Sequence, residues 1–370
     1  MSPGVRLISL ERRQTADGRG FRVTPIEAEP DVEMPEEFAP RRILKRTLQI
    51  VAVLVVVGFV LLLAPGLGQV RDLLVKVQPS WVALAVAFEA LSCISYVLMF
   101  RPIFCRNMPW RTSWEIGLSE LAAGSVVPAS GAGGLALGAW ILREGGMPAE
   151  RIASRSVAFC LIKSSVNFVA VAVLGTIMAL GLAGPSLSLW LTALPAVAAA
   201  VVIAAVLVVP RISVPAPVAD DASRLRRALW HTRKALVGGT GEAVQIVRSR
   251  NLLVITGSLG YWLWDNAALW AAFHAFGSSP PLTVVLLGYL IGQLGGLLPL
   301  PGGLGGIDGG LIGTLIVYGT PAAETAAAVL VYRVILFWLP LLVGAVAFVS
   351  LRRGLNSPDR PELCVVPAAH

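Results

Sequence analysis

Charge is scarce in this chain. Only 14% of its 370 residues are Asp, Glu, Lys or Arg, against roughly 25% in a soluble domain. Histidine is scarcer still: His231, His274 and His370 stand alone, with no H-E-x-x-H spacing, which excludes a zincin-type metal centre. Cys93, Cys105, Cys160 and Cys364 form no C-x-x-C pair. They read as small buried hydrophobes rather than as metal ligands or disulfide partners. No Gly-Lys pair occurs anywhere, so there is no P-loop ATPase. Gly131-Ala-Gly133-Gly134-Leu-Ala136 loosely fits a dinucleotide fingerprint, but it lies between apolar segments with no βαβ context. No D-x-D or Ser/His/Asp constellation is present, and no cofactor, metal or independent catalysis is expected. The first 40 residues carry both signs of charge and no signal-peptide pattern.

Apolar residues take up the difference. They make up 56% of the chain, with a mean hydropathy of +0.75. Runs of about 20 residues, each long enough to cross a bilayer, cover 48–64, 81–100, 157–182, 187–209, 252–276 and 324–350. Two further apolar segments, 114–142 and 282–318, are interrupted by Pro and Gly. The fold class is therefore all-α and polytopic, with about six spanning helices. Residues 1–40, rich in Pro, Glu and Arg, read as a disordered tail, and 351–370 as a second tail. The formal charge of +8 sits in loops and signals topology, not nucleic acid.

Positive charge fixes how the interrupted segments run. If each doubles back on itself, the basic stretches 41–47, 101–113, 143–156, 210–250 and 351–353 all fall on one side with both termini, the cytoplasm. The loops 183–186, 277–281 and 319–323, free of Lys and Arg, fall outside, with 65–80 (Arg71, Lys76) the one exception there. If each crosses once, the loop 210–250, with eight Lys/Arg against three Asp/Glu, is pushed outside. The hairpin reading wins. It gives two helix–hairpin–helix units of opposite orientation, 81–182 and 252–350, within a membrane domain spanning 41–350. Such inverted repeats with broken elements at mid-membrane mark alternating-access transporters. Within 210–250, Leu225, Leu229 and Leu236 allow either a basic amphipathic helix on an anionic leaflet or a solvated loop.

The two interruptions match. Counted from Pro128 and Pro299, Gly124 aligns with Gly295, Gly131 with Gly302, Gly134 with Gly305 and Gly138 with Gly309. A cation follows 35 residues after the first proline (Lys163) and 34 after the second (Arg333). The glycines serve a functional break, close helix packing, or both. Ionisable side chains inside apolar runs are costly, about 2.5–3.5 kcal/mol each at the centre. Here they are Glu89, Glu120, Lys163, Asp265, Asp308 and Arg333. Lys163 and Arg333, one per unit and both near mid-depth, suit an anionic group such as a lipid phosphate. Internal pairing, Arg333 with Asp308 and Lys163 with Glu120, is the other role open to them. Helix ends at Pro128, Gly131 and Gly134 and at Pro299, Gly302 and Gly305 would add free N–H donors, with Ser125, Ser130 and Asn167 as further hydrogen-bonding groups. Glu120, Asp265 and Asp308 are the proton sites that a gradient-driven cycle would use.

Pro301-Gly302-Gly303-Leu-Gly305, Asp308 and Tyr332-Arg333 resemble the second half of a known family. It is the flippase-like integral membrane domain of lysylphosphatidylglycerol synthases, which also occurs without the synthase's aminoacyl-transferase domain. The resemblance covers about 45–350. It implies lipid translocation between leaflets, with Asp308, Tyr332 and Arg333 at the site. The first motif departs from the family: Pro128-Ala-Ser-Gly131 lacks its usual Arg and Glu, and Lys163 stands where Arg is usual. About 20 residues follow the last apolar run, so a stand-alone flippase-like domain in the cell membrane is expected. Its partner is a phosphate-bearing lipid, alongside a second copy or a lipid-modifying enzyme as further partners. A membrane-embedded enzyme, or enzyme subunit, acting on a lipid-linked intermediate is the rival class.

Overall fold

The computed structural model describes residues 45, 48, 68–126, 132–185, 187–211, 223–278, 280–293 and 306–355. Among these are eleven α-helices and one 3-10 turn. The helices are α1 Gly68–Val75, α2 Pro79–Phe104, α3 Trp110–Val126, α4 Ala132–Glu144, α5 Ala149–Ala179, α6 Leu189–Val208, α7 Arg224–Arg248, α8 Leu252–His274, α9 Leu282–Gly292, α10 Gly306–Val317 and α11 Ala322–Leu355. The chain is an all-α, polytopic membrane protein. The expected run 48–64 and the tail 1–40 lie outside the described residues, save Lys45 and Leu48.

Four of the described helices, α2, α5, α6 and α11, are long and apolar enough to span a bilayer. The sequence reading counted α8 among the spans as well. At 23 residues it has the length, about 34 Å, but not the uniform apolarity. It is packed inside the bundle, where Ser258, Asp265 and Asn266 are buried against protein rather than lipid. The connecting segment 210–250 is likewise helical over Arg224–Arg248. Ser223 caps α7 by accepting from the Arg226 N–H at 3.4 Å. Ion pairs Lys234–Glu150 and Arg155–Glu242 (2.7 Å) tie α7 to α5. Leu225, Leu229 and Leu236 remain exposed on α7. Cys93 and Cys160 are free thiols as expected, whereas Cys105 is disulfide-bonded, against that reading.

Both interrupted segments double back. In the first hairpin, a Cβ on Gly134 would fall on the Glu120 carbonyl, and one on Gly138 on the Glu120 carboxylate. In the second, a Cβ on Gly288 would lie 2.5 Å from Leu315 Cδ2, and one on Gly292 2.7 Å from Leu311 Cα. In the second hairpin, as one residue number rises by four its partner's falls by four, which is antiparallel packing through small residues. The connections 127–131 and 294–305 lie outside the described residues. Gly319 turns α10 into α11 at φ 94°, with nothing near its absent Cβ; here conformation, not space, demands glycine.

At the centre α2 runs antiparallel to α8. A Cβ on Gly257 would sit 2.7 Å from Met99 N and 2.8 Å from Ser95 O, and Ser92 Oγ donates to Tyr261 O at 3.3 Å. Around this pair the packing repeats under one exchange: α2 for α8, α3 for α9, α4 for α10 and α5 for α11. Thus α3 packs on α11 as α9 packs on α5, and α2 touches α5 as α8 touches α11. The apolar core is divided. One cluster gathers Phe100, Ile103, Phe159 and Ile141, the other Leu269, Phe273, Val285 and Leu287.

Gly292→Val is expected to wedge the second hairpin open, costing about 1–3 kcal/mol of overpacking and lowering the thermal midpoint of detergent-solubilised protein. Gly309→Ala, in the same hairpin but with nothing within 4 Å of the new methyl, is the control. It should leave the midpoint unchanged or raise it through helix propensity. Equal midpoints for the two variants would contradict the close packing.

Candidate functional site

A cavity of about 210 Å³ separates the two core clusters. Along α2, Ala85 belongs to one cluster and Tyr96–Phe104 to the other; Glu89, Ser92 and Cys93, between them, face the cavity. Along α8, Tyr261 and Asp265 do the same between Val254 and Ala268. The remaining walls come from Tyr96 on α2, Glu120, Leu121, Gly124 and Ser125 on α3, Gly134 and Leu135 on α4, Lys163 on α5, and Arg333, Leu336, Phe337 and Pro340 on α11. One cation from each helix–hairpin–helix unit thus reaches the same space.

The two cations are held differently. Arg333 pairs through Nε with Asp308, in the first turn of α10. Their side chains are 15% and 22% exposed, so the pair is shielded without being sealed. Of the two internal pairings left open by the sequence, Arg333–Asp308 forms and Lys163–Glu120 does not. The Tyr96 hydroxyl instead donates to Glu120 Oε2 at 2.9 Å. The Lys163 ammonium lies 5.8 Å from the centre of the Tyr96 ring and 5.9 Å from that of Tyr261. Two aromatic faces are a weaker partner than a carboxylate, so Lys163 keeps donor capacity for a ligand. Glu120 is 2% exposed, and its Oε1 has no hydrogen-bond partner among the described residues.

Of the other residues singled out from sequence, Gly134 lines the cavity in the first turn of α4, where helix N–H groups are unpaired. Tyr332 does not line it; it is 1% exposed and donates to Asp265 Oδ1 at 2.6 Å. Asp308 reaches the site only through Arg333. Ser125 lines the cavity, although its hydroxyl is used on the Leu121 carbonyl at 3.1 Å. Asn167 is not among the lining residues. Pro128, Ser130, Gly131, Pro299, Gly302 and Gly305 lie outside the described residues. Sequence reasoning passed over Tyr96, Tyr261 and Tyr289. Tyr289 donates to Asp265 Oδ2, and an isolated Tyr in an apolar run carries no signal that sets it apart from core.

The sequence profile of the family described as "Lysylphosphatidylglycerol synthase TM region" matches residues 49–344. This chain belongs to that family. The family domain therefore takes in every helix from α1 to α10 and most of α11, and so the whole cavity wall. Among similar curated proteins is a "UPF0104 membrane protein" of Methanothermobacter thermautotrophicus, 26% identical over 323 residues, 80% of this chain and 94% of the relative. Two shorter matches, to proteins of the same description and organism, are 38% identical over 101 residues and 34% identical over 90. They cover 29% and 27% of the relative. Membership supports a membrane protein with a lipid-related role.

Proposed function

We propose that this family domain moves an anionic, phosphate-bearing lipid between leaflets by alternating access. The observation that carries the reading is that Lys163 and Arg333, from different units, face one cavity. At about 210 Å³ the cavity is smaller than the roughly 300 Å³ at which pockets for drug-sized ligands begin. It suits a headgroup whose tails stay in the bilayer. Lys163 offers unspent hydrogen-bond donors, and Arg333 exchanges Asp308 for phosphate at little net cost in charge pairing. The first turn of α4 at Gly134 adds backbone N–H groups. Rocking of one unit against the other, with both termini cytoplasmic, exposes the site to each side in turn.

The test is reconstitution of the purified chain into vesicles holding a trace of headgroup-matched fluorescent phosphatidylglycerol. Chemical quenching from outside reports the outer-leaflet fraction with time. Faster equilibration than in protein-free vesicles, with the lipid chemically unchanged by mass spectrometry, supports translocation. A chemically altered lipid would instead favour a membrane-embedded enzyme, and no difference from empty vesicles would defeat the proposal.

A further inference from the structure

Glu89 on α2 and Asp265 on α8 face the cavity but have no part in the headgroup site proposed above. They are 4% and 6% exposed. The antiparallel register sets them face to face. Ser92 bonds to Tyr261, and the rings of Phe88 and Trp264 stack with centroids 5.6 Å apart; the next residue on each helix is Glu89 and Asp265. Their carboxylates act on each other electrostatically. Asp265 is fully provided for, by the hydroxyls of Tyr332 and Tyr289. Glu89 is not. Its Oε1 meets only the Cys93 thiol at 3.8 Å, and its Oε2 is buried with no hydrogen-bond partner among the described residues.

A buried acceptor with no donor is costly, and two like charges at close quarters cannot both persist. One proton on the pair relieves the repulsion: it removes a charge, and on Glu89 it turns the orphan acceptor into a donor. We propose that the Glu89–Asp265 pair is a proton-binding site, and that one proton is taken up and released there in each lipid-moving cycle. The coupling half of this inference rests on the translocation reading; the proton site itself does not. The groups facing the pair are Cys93 and Tyr96 on α2, Tyr261 on α8, Glu120 on α3, Lys163 on α5, Tyr289 on α9, and Tyr332 and Arg333 on α11. Arg333 is paired with Asp308 and also acts electrostatically on Asp265, while Lys163 lies over the rings of Tyr96 and Tyr261.

The wiring explains how a proton moves structure. Tyr289 belongs to the second hairpin, and Tyr332 immediately precedes Arg333. Both donate to Asp265, so the charge on the pair sets how firmly α9 and α11 are held to α8. Sodium fits less well. Sodium sites in transporters draw on unwound backbone carbonyls, whereas α2 and α8 run unbroken through Glu89 and Asp265.

Two measurements on the full chain decide the matter. In lipid nanodiscs, infrared difference spectra across a pH titration should show a protonated carboxyl band in the parent. Glu89→Gln should abolish that band, and Glu89→Asp should retain it at a shifted frequency. In vesicles with the membrane potential collapsed, a pH difference of about one unit should sustain up to about tenfold asymmetry of labelled lipid for one proton per lipid. Glu89→Gln, shown folded by its monodisperse elution, should give a ratio near unity. A carboxyl band unchanged in Glu89→Gln overturns the proton site. A parent protein that moves lipid but ignores the gradient overturns coupling and leaves translocation standing. A parent that moves no lipid, yet loses its band in Glu89→Gln, defeats translocation and coupling and leaves the proton site.

Discussion

Lys163→Ala/Arg333→Ala is expected to reduce lipid translocation to the rate of empty vesicles while the protein still folds. A charge-assisted hydrogen bond contributes about 1.5–3 kcal/mol, so each single variant should lose roughly ten- to a hundredfold in initial rate. The two losses should compound, because the cations come from separate units and contact the same headgroup. Their structural costs differ, and this makes the test clean. Lys163 gives up its ring contacts and its electrostatic interaction with Glu120 but no ion pair or hydrogen bond, so Lys163→Ala should keep a thermal midpoint within a few degrees of the parent. Arg333→Ala removes the ion-pair partner of Asp308, a destabilisation that Asp308→Asn should reduce without restoring transport. Charge-preserving Arg333→Lys should retain part of the rate, since a point charge replaces a bidentate fork. A double variant that is folded and moves lipid at the parental rate would remove both residues from the mechanism.

What could be read from the chain beforehand follows from what each signal depends on. Apolar runs depend on local composition, and α2 and α6 appear within a few residues of their predicted ends, while polar turns extend α5 by eight residues at its N-terminal end and α11 by five at its C-terminal end. The doubling back of 114–142 and 282–318 was legible because Pro and Gly together leave lipid with backbone groups it cannot satisfy, and because charge in the loops allowed only one threading. Lys163 and Arg333 were legible because a cation in oil needs a reason. Sequence left open whether Lys163 pairs with Glu120 or keeps its charge for a ligand. Charge matching alone suggested the pair, but the Tyr96 hydroxyl bonds to Glu120, and no local pattern announces a tyrosine that donates across helices. The facing of Glu89 and Asp265 was equally hidden. It depends on the register of two helices far apart in sequence, set by Gly257 and Gly260 against Ser95. For α7 the leucine spacing was visible, and the choice of helix over loop was made by the Ser223 cap and the ion pairs to α5.

Gly134→Ala should open the first hairpin irreparably, whereas Gly138→Ala should do damage only while Glu120 is present. At Gly134 the new methyl falls on the Glu120 carbonyl, with the carbonyl carbon 3.1 Å away. Backbone cannot step aside, so α3 and α4 must separate, at an overpacking cost of about 1–3 kcal/mol. At Gly138 the obstacle is the Glu120 carboxylate itself. That group can move, but only by breaking its bond from Tyr96 and leaving buried polar groups without partners, which costs about 1–3 kcal/mol. Glu120→Ala removes the obstacle and the buried acceptor together. The double variant Gly138→Ala/Glu120→Ala should therefore be more stable than Gly138→Ala alone, by more than the 0.3–0.5 kcal/mol or so within which independent sites add. Adding Tyr96→Phe should recover a further 1 kcal/mol or so, by deleting the hydroxyl left without an acceptor. Glu120→Ala should not rescue Gly134→Ala, because the carbonyl stays. Thermal midpoints of the six variants, Glu120→Ala alone among them, complete the cycle, and additivity between Gly138 and Glu120 would mean that the carboxylate does not fill the gap between α3 and α4. If the coupling appears, the first hairpin is closed over a carboxylate that also lines the cavity. Headgroup access and hairpin closure then share one side chain, and a ligand that draws Glu120 away from Tyr96 loosens the hairpin by the same contact.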